Sequence, residues 1–205
     1  MTREWVVVGI SGATCSGKST LAGNLHEMLP QSVLIRQDDY FLPVDSPAHI
    51  KVEALGHLNW EIMTALDMDS MRSDVHNILS QDPSLAKLPA KAQRSTNDGA
   101  GSIEAFPNLL ILEGFLLLND PALSSLCDLR YYLTLTREQC WERRQKRTYD
   151  PPDIPGYFDL TVWPEYEKHR NQVLGQSNIK FVDGMIQPDI TRASVVNDIL
   201  KLLQR

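Results

Sequence analysis

The feature that most constrains the fold of this chain is an octapeptide near its N-terminus, Gly12-Ala-Thr-Cys-Ser-Gly-Lys-Ser19. It matches the pattern G-x-x-x-x-G-K-[ST] without a substitution. An apolar run, Trp5–Ile10, precedes it, and an amphipathic run, Gly17–Leu29, follows it. Small residues here let backbone N–H groups turn inward around phosphate oxygens, and a helix N-terminus adds partial positive charge. The motif therefore predicts a strand, a phosphate-binding loop and a helix, in that order.

Two residues of this octapeptide are expected to contact the phosphates and their metal ion directly. Lys18 is predicted to reach the β- and γ-phosphates of a bound nucleotide, and the Ser19 hydroxyl is predicted to ligate Mg²⁺. A glycine-rich turn from strand to helix, without a ligand, is the alternative interpretation. The predicted phosphate site consists of Gly12, Ala13, Thr14, Cys15, Ser16, Gly17, Lys18, Ser19 and Thr20.

Along the rest of the chain, short apolar runs alternate with longer amphipathic ones, which is typical of a parallel sheet covered by helices. We predict an α/β fold of the P-loop NTPase type, with helices on both faces of a mostly parallel, five-stranded sheet. Residues 1–205 are expected to form a single three-layer domain. The predicted strands are Trp5–Ile10, Val33–Arg36, Leu109–Leu112, Tyr131–Leu135 and Ile179–Val182. The predicted helices are Gly17–Leu29, Glu61–Leu79, Arg137–Arg147, Val162–Leu174 and Asp189–Leu203.

Two segments do not fit this alternation. Pro43–Asn59 contains two prolines and no clear period. Gln81–Pro107 is rich in Ala, Ser, Pro, Gly and Asn, a composition expected for a flexible excursion from the fold.

Two carboxylates follow predicted strands, at the sheet edge where ligands of open parallel sheets bind. Asp38 comes soon after the second strand, and Glu113 directly follows the third. Asp38 is expected to accept the proton of an attacking hydroxyl and to organise Mg²⁺, while Glu113 holds the water shell of the metal. The alternatives are an Asx turn for Asp38, which we favour for its neighbour Asp39, and a salt-bridged strand end for Glu113. Together with Lys18, Asp38 and Glu113 are the predicted catalytic residues.

The chain is acidic overall, yet residues 130–147 carry six basic side chains against two acidic ones. Within this stretch Arg143 and Arg147 share one face of a predicted helix, whereas Arg144 is turned from Arg143 by about 100°. One face is thus expected to clamp nucleotide phosphates, and the other to meet a phosphate acceptor. Thr136 is the predicted N-cap of this helix. We predict a helical lid over approximately residues 137–160 that excludes water; a solvated helix face is the alternative.

These features favour a small-molecule kinase over other P-loop proteins. The chain has no N-K-x-D motif for reading guanine, and the D-x-x-G string at Asp153–Gly156 follows two prolines late in the chain and is interpreted as accidental. A chain of 205 residues leaves no room for the second nucleotide-binding module of a transport ATPase. The alternative from another class is a switch protein that hydrolyses ATP slowly without an acceptor.

The overall charge and the cysteines indicate which kinds of partner and which cellular compartment to expect. A net charge of −6 argues against a dedicated nucleic-acid binder, which is usually basic. The three cysteines form no C-x-x-C pair and no zinc-type spacing, which indicates reduced thiols in the cytoplasm or also in the nucleus. The first apolar run is too short for a signal peptide, and no stretch approaches the ~20 apolar residues of a membrane span. We expect a monomer or weak dimer with small-molecule substrates and no nucleic-acid or membrane partner.

Several of these residues together resemble nicotinamide riboside kinases, from Val6 to about Gly184. The resemblance rests on Gly9–Ser19, Gln37–Phe41, Glu113–Leu117, Tyr149–Asp159 and the Val162-Trp-Pro string after it. The run Pro-Pro-Asp-x-Pro-Gly-Tyr-Phe-Asp is its most specific part, because uridine kinases share the phosphate loop and the Asp-Asp element but lack this run. The resemblance implies ATP, with Mg²⁺, and nicotinamide riboside as substrates, and nicotinic acid riboside as a second acceptor. A uridine- or cytidine-type kinase is the nearest alternative.

The resemblance also implies roles for single residues. It supports Asp38 as the catalytic carboxylate and Ser19 as the magnesium ligand, with Asp38 and Glu113 completing the metal site. The nucleotide-contacting positions beyond the phosphate loop are Arg143, Arg147 and the turn residues Asp183 and Gly184. The acceptor-contacting positions are Asp38, Trp60, Glu61, Arg144, Tyr149 and Asp150, of which Trp60 and Tyr149 enclose the nicotinamide ring.

Three positions depart from the family pattern. Trp60-Glu61 stands where a known member has Tyr-Asp, and Asp150 stands where that member has Gln. Because nicotinamide riboside carries a pyridinium cation, an aromatic face contributes about 0.5–2 kcal/mol to its binding. The neighbouring carboxylates also favour a cationic base over a neutral uracil. The departures leave the reaction type unchanged and bear on the preference for the base.

Overall fold

The structure, a computed structural model, describes residues 5–97 and 108–204. Its strands are β1 (Trp5–Gly12), β2 (Val33–Arg36), β3 (Lys51–Val52), β4 (His57–Leu58), β5 (Ala92–Arg94), β6 (Asn108–Glu113), β7 (Leu129–Thr134) and β8 (Ile179–Asp183). Its helices are α1 (Lys18–Met28), α2 (Met68–Leu79), α3 (Pro121–Leu126), α4 (Arg137–Arg144), α5 (Trp163–Leu174) and α6 (Pro188–Leu203). Short helical turns follow β2, at Gln37–Tyr40, and precede α5, at Phe158–Val162.

Six strands form one sheet in the order β5-β2-β6-β1-β7-β8, in which only the pairing of β5 with β2 is antiparallel. Because parallel strands share a direction, the carboxyl ends of β1, β2 and β6 meet at one edge of the sheet. Glu113, the last residue of β6, is in register with Ile10 of β1 and Arg36 of β2. The phosphate-binding loop after β1 and the helical turn after β2 therefore start beside Glu113.

Both faces of the sheet are covered because its central strands are apolar at successive positions. All eight residues of β1 are buried. Alternate side chains of a strand point to opposite faces, so Leu110 and Leu112 pack in the cluster that contains α2, while Leu109 and Ile111 pack with α1 and α6. This is the predicted three-layer arrangement, and the predicted fold class is confirmed.

The number of strands differs from the prediction, because the sheet has six strands rather than five. The additional strand is β5, which pairs antiparallel with β2 at the sheet edge. Its sequence, Ala92-Gln-Arg94, is short and mostly polar, so no apolar period marks it. This strand lies inside the segment predicted as a flexible excursion, Gln81–Pro107, of which residues 98–107 are outside the described part of the chain.

Two helix boundaries also differ from the prediction. The helix expected over Glu61–Leu79 begins at Met68, because Asp67 accepts a hydrogen bond from the Ser70 backbone N–H at 3.0 Å and so caps the helix there. The helix expected over Arg137–Arg147 ends at Arg144.

The predicted cap of α4 is confirmed. The Thr136 hydroxyl accepts from the Gln139 N–H at 3.3 Å, and the Gln139 side chain accepts from the Thr136 N–H at 2.9 Å. This reciprocal pair satisfies two backbone N–H groups that the helix itself leaves unbonded.

An apolar cluster beneath α4 joins this helix to the phosphate-binding loop. It contains Ala13 of the loop, Cys140 of α4, and Tyr157 and Phe158 from the turn before α5. Consequently α4 and the segment after it pack directly over the carboxyl edge of the sheet. None of the helices in the described part of the chain combines the length and apolar character needed to cross a bilayer.

Candidate active site

The phosphate-binding loop follows β1 and lies against β7. Gly12 has φ 129°, and a Cβ atom on it would come within 2.0 Å of the Leu133 carbonyl oxygen. The Ala13 N–H donates to the same oxygen at 2.9 Å. The loop then passes through positive φ values at Cys15 and Gly17 before α1 begins. Only glycine fits the close approach at position 12, which explains the first glycine of the motif.

The residues predicted for catalysis and metal binding lie together beside the phosphate-binding loop. They are Lys18, Ser19, Asp38 and Glu113. Lys18 is buried, and its Nζ donates to the Ala13 carbonyl oxygen at 2.8 Å. Glu113 is buried as well, and its carboxylate accepts a hydrogen bond from the Ser19 side chain. Asp38, on the helical turn after β2, faces the same space; it is accessible from the cavity but surrounded by protein on its other sides.

Burial raises the pKa values of both carboxyl groups, and repulsion from a neighbouring carboxylate adds to each shift. Burial is the largest cause for each, because a protein interior disfavours the charged form. It raises the pKa of Glu113 to about 7, with repulsion from Asp38 adding to burial and Lys18 and Ser19 opposing it. The pKa of Asp38 is raised in the same way, with Lys18 opposing and Asp39 adding to the shift. A carboxyl group with a raised pKa is a better proton acceptor near neutral pH.

Glu113→Gln should make the stability of the protein less sensitive to pH. Glu113 is protonated up to about pH 7 in the folded protein but only up to its ordinary pKa of 4.5 when unfolded. Between these values the folded state binds more protons, so the Glu113 contribution to the free energy of unfolding falls as pH rises. In protein free of nucleotide and Mg²⁺, E113Q should gain up to about 3 kcal/mol relative to wild type over this range.

Urea unfolding of both proteins between about pH 5 and pH 8 measures this difference. If the difference between the two proteins does not change with pH, it reflects only the lost Ser19 hydrogen bond. That outcome would contradict the raised pKa of Glu113.

A cavity of about 350 Å³ opens beside the phosphate-binding loop. It runs from the end of the sheet towards the segment after α4. The phosphate-loop, carboxylate and lid residues that line it are Thr14, Cys15, Gly17, Lys18, Ser19, Thr20, Asp38, Glu113, Arg144, Arg147, Tyr149, Asp150 and Asp153. The other residues that line it are Phe41, Leu42, Pro43, Val44, His57, Trp60, Glu61, Phe115, Pro151 and Tyr157. All of the predicted acceptor residues and most of the predicted phosphate-loop residues therefore line one cavity.

Arg144 is the centre of the polar network at the acceptor end of this cavity. Its side chain is 5% exposed, and its Nε and Nη2 groups donate to the two oxygens of Asp153 at 2.7 and 3.0 Å. Nη2 also donates to Glu61 at 3.3 Å, and Nη1 donates to the Thr14 hydroxyl at 3.1 Å. The guanidinium lies over the Tyr149 ring, 4.3 Å from its centroid. Burial raises the pKa of Glu61, and the Arg144 charge opposes that shift.

The neighbouring arginines do not share a face as predicted, because α4 ends at Arg144. Arg143 Nη1 donates to the carbonyl oxygens of Cys15 and Gly184, each at 3.1 Å, and lies outside the cavity lining. Arg147, in the turn after the helix, lines the cavity, and its charge opposes the rise in the pKa of Asp38. The two predicted phosphate clamps are thus separated, with Arg143 bonded to backbone and Arg147 facing the site.

The two aromatic residues predicted to enclose the base both line the cavity. Trp60 packs edge-on against Phe41, with ring centroids 5.7 Å apart, and its backbone N–H donates to the Tyr157 hydroxyl at 2.9 Å. The Tyr149 hydroxyl lies 3.3 Å from the Cys15 thiol sulfur. One face of Tyr149 is covered by the guanidinium above it.

The predicted adenine turn lies on the other side of the phosphate-binding loop. The Gly184 N–H donates to the Thr134 carbonyl oxygen at 2.8 Å, and a Cβ atom on Gly184 would come within 2.8 Å of the Ser16 oxygen. The Asp183 carboxylate accepts from the Met185 N–H at 2.8 Å and stabilises the turn. Six predicted nucleotide residues are not part of the cavity lining: Gly12, Ala13, Ser16, Arg143, Asp183 and Gly184.

Several lining residues were not predicted from the sequence. Phe41 and Phe115 stack with centroids 5.9 Å apart, and both follow predicted carboxylates, so their positions could have indicated them. His57 packs against Tyr157 with centroids 4.9 Å apart, and no spacing in the sequence marks it. Asp153 belongs to the D-x-x-G string and to the Pro-Pro-Asp run of the family resemblance, but no role was predicted for it, yet it forms the shorter of the two ion pairs to Arg144.

The donor set fits a magnesium site of the P-loop type. Ser19 and Glu113 are hydrogen bonded, and Asp38 is close enough to shift the pKa of Glu113. Mg²⁺ in such sites takes one or two protein ligands and completes its shell with water and substrate phosphates. Accordingly, residues 5–97 and 108–204 contain no closed group of three or more His, Cys, Asp or Glu side chains able to hold a metal alone.

Comparison with known proteins gives consistent results at the level of sequence. A family profile described as "AAA domain" matches residues 8–172. Nicotinamide riboside kinase 1 of Rattus norvegicus is 36% identical over 97% of this chain and 96% of its own length. Nicotinamide riboside kinase 2 of Mus musculus is 37% identical over 95% of each chain. These relatives bear out the family resemblance seen in the motifs.

Comparison with solved structures supports the fold. A "possible uridine kinase" from Bacillus stearothermophilus superimposes with a TM-score of 0.53 at 15% identity, covering 88% of this chain and 90% of its own. At this identity the likeness concerns the architecture alone.

Proposed function

The chain belongs to the nicotinamide riboside kinase family, and from this premise we propose that it transfers the γ-phosphoryl group of ATP to the 5′-hydroxyl of nicotinamide riboside. The products are ADP and nicotinamide mononucleotide, which makes the reaction a salvage step towards NAD. Nicotinic acid riboside is the second proposed acceptor. The enzyme is a phosphotransferase with an alcohol group as acceptor.

The observation that carries this proposal is the presence of a phosphate end and an acceptor end in one cavity, which Asp38 also lines. The Asp38 charge raises the pKa of both Glu113, at the phosphate end, and Glu61, at the acceptor end. A hydroxyl bound near Glu61 and Arg144 would share this cavity with the Asp38 carboxylate and with the phosphate bound at Lys18. This arrangement supports direct in-line transfer without a phosphoenzyme.

We assign the steps of the reaction to side chains as follows. Asp38 accepts the proton of the 5′-hydroxyl, and Lys18 and Arg147 stabilise negative charge on the transferring phosphoryl group. Ser19, Asp38 and Glu113 are the proposed holders of Mg²⁺, which supplies positive charge to the phosphate oxygens when bound. The segment from α4 to about residue 160 is the proposed lid, and its packing over the sheet edge is consistent with a role in excluding water.

Charge at the acceptor end supports a cationic base. Glu61, Asp150 and Asp153 line this end, while Arg144 is the cation that bonds to Glu61 and Asp153. Trp60 adds an aromatic side chain to the lining of the same cavity. A pyridinium ring gains from both features, whereas a neutral pyrimidine gains from neither.

An acceptor profile tests the proposal. ADP release from Mg·ATP is measured with nicotinamide riboside, nicotinic acid riboside, uridine and cytidine as separate acceptors, beside a reaction without acceptor. We expect the pyridine ribosides to stimulate ADP release by about 100-fold or more over the reaction without acceptor.

Stimulation by pyrimidine nucleosides alone would retain the kinase assignment and contradict the proposed base pocket. Equal ADP release with and without every acceptor would instead favour the switch protein. Both outcomes are decided in the same experiment, because the reaction without acceptor measures the basal hydrolysis.

A further inference from the structure

The acceptor end contains an ion pair whose geometry sets how Arg144 faces the cavity. Asp153 contacts Nε and Nη2, the edge of the guanidinium that forms two parallel hydrogen bonds with a carboxylate. The Thr14 hydroxyl takes one N–H of Nη1, and Glu61 takes one N–H of Nη2. A guanidinium has five N–H groups, so one N–H on Nη1 has no partner among the described residues and is available to a ligand in the cavity that Arg144 lines.

The bond lengths show which carboxylate holds the arginine. The two bonds to Asp153 measure 2.7 and 3.0 Å, whereas the single bond to Glu61 measures 3.3 Å. A charged hydrogen bond of good geometry is shorter than the latter. Arg144 is therefore paired mainly with Asp153, and most of the hydrogen-bonding capacity of Glu61 remains available.

We propose that Asp153 is a positioning residue for the acceptor, which holds Arg144 by its Nε–Nη2 edge and thereby keeps Glu61 free to bind substrate hydroxyl groups. This inference rests on the proposed function, in which Glu61 and Arg144 contact the riboside. Without the Asp153 charge, the same edge of Arg144 would turn to Glu61, the other carboxylate that it contacts among the described residues. The Arg144 guanidinium would then occupy the Glu61 carboxylate, which the riboside hydroxyl groups need.

Steady-state kinetics of Asp153→Asn test this role. The riboside KM should rise by about 10- to 100-fold, because a charged bidentate pair is replaced and Glu61 becomes engaged. The KM for ATP should stay within about twofold, since, within the described part of the chain, Asp153 is linked to the phosphate-binding loop only through Arg144. Asp153→Glu, which retains the carboxylate, should recover part of the riboside affinity.

Asp198→Asn is the matched control. Asp198 is also a largely buried carboxylate with two partners, Lys180 and Tyr131, but it lies on α6, away from the cavity. D198N should lower Tm without raising the riboside KM. A uniform loss of activity in D153N, with the KM for ATP rising equally, would reduce Asp153 to a structural residue and overturn the inference; so would an unchanged riboside KM.

A substrate-free measurement separates this inference from the proposed function. The ¹⁵N-labelled Nε–H signal of Arg144, assigned by its loss in Arg144→Lys, should exchange slowly with solvent in the wild type and in D198N. In D153N it should shift, because its acceptor changes from Asp153 to Glu61. An unchanged signal in D153N overturns the inference, whereas a wild-type protein that phosphorylates no riboside contradicts the proposed function.

Discussion

Asp38→Ala should lower kcat by about 100-fold or more while leaving ATP binding nearly intact. Asp38 lies on the helical turn after β2 and lines the cavity together with Glu113 and Glu61, and its raised pKa suits a group that accepts a proton near neutral pH. Its removal leaves the attacking hydroxyl without a base, but it leaves Lys18 and the loop backbone in place for the nucleotide. Steady-state turnover with the preferred riboside measures the first effect, and nucleotide titration measures the second.

Asp39→Ala is the control for this variant. Asp39 is the adjacent residue on the same helical turn and is exposed, but it does not line the cavity. D39A should therefore keep kcat within a few-fold of wild type. Turnover of D38A near the wild-type value would remove Asp38 from the role of base.

Lys18→Ala should reduce both nucleotide affinity and turnover, with kcat/KM for ATP falling by about 100- to 1000-fold. Lys18 is a buried cation at the start of α1, and in the free protein its Nζ is held by the Ala13 carbonyl oxygen, a contact within the loop. A phosphate oxygen would take over this charge at the same place. Lys18 binds phosphate in the ground state, so Kd should rise, and it also stabilises the extra negative charge that builds on the phosphoryl group in the transition state, so kcat should fall as well.

Lys168→Ala provides the comparison, since Lys168 is an exposed lysine on α5 paired with Glu165 and lies outside the cavity lining. K168A should match wild type in nucleotide affinity. Undiminished affinity and turnover in K18A would contradict the assignment of the phosphate site.

The phosphate end of the site could be predicted from the sequence because its determinants are local. Gly12, Gly17 and Lys18 lie within one octapeptide, and the conformation of a single loop sets the position of each. Asp38 and Glu113 each follow a buried strand, and the parallel direction of β2 and β6 alone brings their ends together. The octapeptide motif, together with the rule that ligands bind at the carboxyl ends of parallel strands, was sufficient to predict this end of the site.

The acceptor end could be predicted only in part, because its partners come from distant segments. Arg144 was predicted as an acceptor residue, yet its pairing with Asp153 depends on how the segment after α4 folds back. The separation of Arg143 from Arg147 depends on where α4 stops, which its sequence does not mark. Likewise β5 forms because β2 offers an open edge, although Ala92–Arg94 lacks strand character of its own.

The order of strands in the sheet has a consequence for how the protein is made. β1 is the first strand to be synthesised, but its neighbours are β6 and β7, about a hundred residues later in the chain. Until both have followed, its eight core residues have no sheet to join, and the loop after it has no β7 backbone to lie against. Contacts between such distant segments form slowly, since a long stretch of chain must first be ordered. The nucleotide site therefore forms late in folding. A nascent chain that stops before β7 exposes an apolar strand and has no complete nucleotide site through which a ligand could stabilise it.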